Sequence, residues 1–64
     1  MKLYDLLTVI PLGESVKVII KHDDYDEDTG VRDSGSIPTS WDGFNVLAIY
    51  KGLCGCLNII VEVA

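Results

Sequence analysis

Asp23, Asp24, Asp26, Glu27 and Asp28 are the densest set of functional groups in the chain: five of its ten acidic residues, interrupted only by Tyr25. Carboxylates this crowded can hold a divalent cation, dock on a basic surface, or keep a loop in water. The alternation Asp24-x-Asp26-x-Asp28 resembles the opening of a calcium loop. The match fails where that loop needs a glycine, at Thr29, with Gly30 one place late. It fails again at Gly35, where a bidentate Glu belongs. A calcium-stabilised interaction module is therefore the weakest of three expectations, and no metal ligand is assigned.

Charge bookkeeping favours the basic surface. Residues 22–36 carry six acids (the five above and Asp33) and one base, Arg32, a net of −5. The remaining residues balance four acids against four lysines, so the whole formal charge of −5 sits in one segment. A field that concentrated steers and selects partners. Its plain alternative is a solvated hairpin loop that keeps an apolar domain soluble.

The other candidate groups carry less. Cys54-Gly55-Cys56 lacks the C-x-x-C spacing of a redox pair, and His22 is the only further soft ligand. Small apolar fillers in a tight hairpin explain these cysteines better. His22 has acids beside it but no serine or cysteine placed by a motif, and no glycine-rich phosphate loop is present. Catalytic residues are accordingly none, cofactors none, and the chain is read as no enzyme. Trp41, in a Ser-Trp-Asp-Gly turn, is expected to be partly exposed and to serve with the acids as a binding anchor. Lys17, Lys21 and Arg32, with Tyr50 or Trp41, form an alternative set that could hold a small anionic ligand at a subunit interface. Balancing the neighbouring acids is their simpler use.

These groups need elements to position them. Leu3, Leu6, Leu7 and Ile10 make one helical stripe, stopped by Pro11 and Gly13. Ser15–Lys21 alternates as a strand, although Ile19 makes its second face less polar than a solvent face should be. His22–Gly30 has no periodicity and reads as a loop, with Asp-Thr-Gly as turn chemistry. Val31–Ile37 reads as an edge strand returning antiparallel, interrupted by Pro38. Asn45–Lys51 and Cys56–Val63 form the clearest hairpin, with glycines at 52 and 55. In the expected register Tyr50 meets Leu57, Ala48 meets Ile59 and Val46 meets Val61. Both faces of that hairpin are apolar, so one needs a second layer.

Sixty-four residues allow a single domain, 1–64, with a thin core. The 48% hydrophobic content exceeds what that core needs, which predicts a homo-oligomer. The most apolar stretch, residues 53–64, is too short to span a membrane and contains Asn58 and Glu62. Two cysteines and no export signal predict a cytoplasmic protein. Acidity argues against direct contact with nucleic acid or anionic lipid.

The segments KLYDLLTVI (2–10), VKVII (16–20), VLAIY (46–50) and LNIIVEV (57–63) together resemble short α+β proteins carried by bacterial phages and prophages. The resemblance spans most of the chain but rests on patterning, so it transfers no functional residue. It implies a mobile-element origin and, by analogy, binding to a host protein, as inhibitors of CRISPR effectors do, or sequestration of a nucleotide signal.

The sequence thus predicts an α+β fold: a short N-terminal helix packed on a four-stranded antiparallel sheet, able to curl into an SH3- or Sm-like small barrel. The leading function is a non-enzymatic phage-type inhibitor of a host defence protein in the bacterial cytoplasm. Asp23, Asp24, Asp26, Glu27, Asp28 and Trp41 would meet a basic, nucleic-acid-handling surface. The alternative is an oligomeric sponge for a small anionic nucleotide, held by Lys17, Lys21, Arg32 and Tyr50.

Overall fold

The computed structural model describes residues 1–53 and 55–63. One short helix, α1 (Leu3–Leu7), precedes four strands: β1 (Ser15–Lys21), β2 (Asp26–Asp33), β3 (Asn45–Lys51) and β4 (Leu57–Glu62). Two single 3₁₀ turns, Ser34–Ser36 and Thr39–Trp41, lie between β2 and β3. The α+β class stands, and the helix packs on the sheet.

The all-antiparallel expectation is corrected. The strand order is β2-β1-β4-β3: β1/β2 and β3/β4 are antiparallel, but β1 and β4 run parallel at the centre. The sheet is mixed. It is also open, because β2 and β3 end it on opposite sides and do not pair with each other, so the barrel does not form. The reason is visible in β1 and β4. Val16, Val18 and Ile20 face Leu57, Ile59 and Val61 on one side, and Ile19 faces Ile60 on the other. Strands apolar on both faces belong in the middle of a sheet. Ile19 was the sequence sign of this.

The core lies on one face, where Val16, Val18, Ile20, Ile59 and Val61 meet Leu3 and Leu6 of α1. The 42–44 turn satisfies the first helical amides: Leu3 N–H donates to Phe44 C=O (2.8 Å) and Tyr4 N–H to Asp42 C=O (3.0 Å). The helix ends at Leu7 rather than Ile10. The Thr8 hydroxyl bonds back to Asp5 C=O (2.7 Å), and the β-branched Thr8-Val9-Ile10 run leads into Pro11.

The second strand is also displaced. It covers Asp26–Asp33 rather than Val31–Ile37, so most of the acidic run lies in a strand and not in a projecting loop. The Asp-Thr-Gly sequence does not form the hairpin turn. It forms a bulge in β2, where the register skips between Lys17 and Ile19 and Gly30 takes φ +84°. The Thr29 hydroxyl donates to Val18 C=O (2.6 Å) and Gly30 N–H to the Asp28 carboxylate (2.9 Å). Beyond Asp33 the chain leaves the sheet. The Asp33 carboxylate accepts from the Gly13 and Gly35 amides, both at 3.0 Å, and buried Ser34 bonds Pro11 and Glu14 carbonyls.

The last hairpin has the expected strands, but its register holds only at Val46–Val61 and Asn45–Glu62. A bulge at Leu47 shifts the remainder, so Ala48 meets Ile60, Ile49 meets Ile59 and Tyr50 meets Asn58. Tyr50 therefore turns to the open face of the sheet.

Candidate functional site

The β1–β2 hairpin gathers the acids along the outer edge of the sheet. Only Asp23 and Asp24 form its tip, a two-residue connection closed by His22 N–H donating to Tyr25 C=O (2.8 Å). Aspartate suits such turns. The His22 and Tyr25 rings stack below the tip, 4.5 Å apart and 18° from parallel.

Three of the five acids then face basic partners. Lys21 Nζ lies 3.7 Å from Asp26, His22 Nε2 lies 3.0 Å from Glu27, and Lys17 Nζ lies 3.3 Å from Asp28. Lys21 is directly opposite Asp26, and cross-strand opposite charges stabilise antiparallel pairs. Lys17 reaches Asp28 diagonally, since Asp28 lies opposite Ile19 on the same face of β1. The three carboxylates remain about half exposed, at 49–56%. The pairs therefore orient the acids without removing them from solvent, and each contributes little to stability. Asp23 and Asp24 make no ion pair among the described residues. The Gly30 amide, then Lys17, holds the Asp28 carboxyl below its ordinary value. The Gly35 and Gly13 amides do the same for Asp33.

Trp41 lies on the helix side of the sheet, away from Asp26 and Asp28, which are on the open face. It is half-buried against the core, with the Arg32 guanidinium carbon 4.9 Å above its ring centroid. Arg32 faces the helix side with Val16, and its Nη2 donates to Thr29 C=O (2.9 Å). Its buried Nε has no hydrogen-bond partner among the described residues, because that edge lies against protein rather than water. The cation–π contact offsets part of that cost.

The alternative basic set is divided by the sheet. Lys17, Lys21 and Tyr50 share the open face, and Arg32 is on the other. Lys17, Asn58 and Tyr50 stand in one row across β1, β4 and β3. They line an open pocket of about 570 Å³ with Lys51, Gly52, Leu53 and Cys56. Asn58 and Lys51 were not singled out from sequence, since the row exists only through the non-local β1–β4 pairing. Of the Cys54-Gly55-Cys56 reading, Cys54 lies outside the described residues. Cys56 is buried, with its thiol 3.7 Å from Asn58 Oδ1. Among the described residues, no three His, Cys, Asp or Glu side chains are placed to hold a metal ion together. Asp26 and Asp28 face lysines instead. Nor is any helix among them long and apolar enough to cross a membrane.

Comparison of the chain with family models, curated proteins and solved structures finds no match.

Proposed function

We propose that this is a non-enzymatic binding protein whose acidic β1–β2 hairpin meets a basic surface on another protein. The observation carrying this reading is the placement of the five acids along one hairpin at the sheet's edge, with Asp26, Glu27 and Asp28 half-exposed and oriented by Lys21, His22 and Lys17. Pre-oriented carboxylates lose little side-chain entropy on docking, so more of the electrostatic attraction appears as affinity. The partner is a nucleic-acid-handling surface of a host defence protein, as the phage resemblance implies, because such surfaces carry the clustered lysines and arginines that match it. Trp41 acts in this reading only through Arg32, which it holds against the sheet.

The test is capture from bacterial host lysate with three baits. One is the native chain. The second carries Asn or Gln at Asp23, Asp24, Asp26, Glu27 and Asp28. The third is neutralised at Glu14, Asp42 and Glu62. The reading expects a specific partner on the first and third and none on the second. Retention by the hairpin variant would refute it.

The small-anion reading draws on one observation, the meeting of Lys17 and Tyr50 with Asn58 at the open pocket. A nucleotide held there would raise the melting temperature, and Tyr50→Ala would remove that rise.

A further inference from the structure

The β3 edge of the sheet carries almost no charge. Five of its seven residues are exposed, and Leu47, Ile49 and Tyr50 leave 48%, 42% and 48% of their surface in water. An uncovered edge of this kind is a template for another strand. Its first part is already occupied: Lys2 bridges Asn45, and Val46 N–H donates to Met1 C=O at 2.8 Å. Leu47–Lys51 has no strand partner on that side among the described residues.

We propose that this free segment pairs antiparallel with the same segment of a second copy, about a twofold axis at Ile49, to give a continuous eight-stranded sheet. The register follows from the occupied part. With Ile49 opposite itself, Ala48 faces Tyr50 and Leu47 faces Lys51 of the second copy, so pairing stops at Leu47, just short of Val46 where Met1 lies, and the second copy's chain must turn out of the sheet at Gly52. No like charges meet, because the two Lys51 side chains fall at opposite ends. Leu53 of the second copy is carried toward Met1, and both are exposed large apolar residues.

Charge excludes the other edge. β2 holds four acids and one base, a net of −3, so self-pairing there sets two such strands side by side. Pairing β3 with β2 of another copy offers four acids only Lys51, and it leaves a free edge at each end, which grows without closing. Pairing through β3 instead puts the two β2 edges seven strand spacings apart, about 34 Å at ~4.8 Å each. Screening at physiological salt acts over about 8 Å, so the two acidic hairpins do not repel each other. A specific interface removes about 800 Å² per partner, about one fifth of the 3994 Å² surface of this chain. Among the described residues, the free segment with exposed Leu53 and Met1 is an apolar stretch on an edge that can contribute to it.

Sedimentation equilibrium of the full chain from micromolar to millimolar concentration tests this. Mass should rise from 7.0 kDa toward twice that value. Ile49→Lys puts two lysines face to face on the axis, and Ile49 is not among the residues packed on the core. This variant, and Ala48→Lys beside it, should keep the native circular dichroism and stay monomeric. A wild-type chain that is monomeric throughout overturns the proposal, as does a folded Ile49→Lys chain that still dimerises. If either variant unfolds, wild-type hydrogen exchange decides. Amides within 47–51 should slow with concentration, and a dimer without that slowing is joined elsewhere.

Discussion

The two edges of one sheet are built from opposite chemistries. β2 presents Asp26, Glu27, Asp28 and Asp33 with a bulge at Gly30; β3 presents Leu47, Ala48, Ile49 and Tyr50 with a single lysine at its end. Both are mostly exposed, so burial does not separate them. Charge does. A strand lined with carboxylates repels a copy of itself and attracts basic groups, whereas an uncharged apolar edge has no such barrier to pairing with its own sequence. The proposed basic partner and the proposed second copy would therefore use different edges, with β1 and β4 between them.

The largest effect on this arrangement comes from beneath both edges. Ile59 in β4 is fully buried and pairs with Val18 on one side and Ile49 on the other. Ile59→Ala should cost about 3 kcal/mol, against a total of roughly 3–10 kcal/mol for a domain of this length. Urea unfolding should show a much lower midpoint, with partner capture and self-association lost together. A smaller change separates the edges. Gly30→Ala meets no neighbouring atom, so its cost is the left-handed backbone alone, about 1 kcal/mol. It loosens the bulge whose Gly30 amide holds the Asp28 carboxylate and should weaken capture by the acidic hairpin while leaving self-association intact. The smallest effect is that of acid. Asp28 and Asp33 have carboxyl groups held below 3.8 in the folded state, so they bind fewer protons folded than unfolded. Their contribution is complete above that value and is lost as pH falls through it toward their lower folded values. Asp33→Asn should flatten the acid limb of a melting-temperature profile, and Lys51→Gln on the other edge should not.

Much of this was legible in the sequence, and the failures share a cause. Alternation, broken only at Ile19, placed β1 at Ser15–Lys21, and Asn45–Lys51 emerged with the expected bounds. The β1–β2 and β3–β4 hairpins are local, and their antiparallel sense followed from short connections. The parallel β1–β4 contact is non-local, and no periodicity encodes which strands become neighbours across some 35 residues. Both bulges defeated register for a related reason. Asp28-Thr29-Gly30 has the same composition in a turn and in a bulge, and nothing in Val46-Leu47-Ala48 marks the extra residue. The acids were visible as a cluster, but their alternation onto Lys17, Lys21 and His22 depended on that register. The Arg32–Trp41 contact joins a strand to a 3₁₀ turn with no sequence pattern of its own.

Hydrogen exchange read at both edges in one sample tests the contrast most directly. As protein concentration rises, amides of Leu47–Lys51 should gain protection while those of Asp26–Asp33 stay unchanged. Added basic partner should reverse the pattern, with protection appearing at Asp26–Asp33 alone. Equal behaviour of the two edges, or concentration-dependent protection at Asp26–Asp33, would contradict the account.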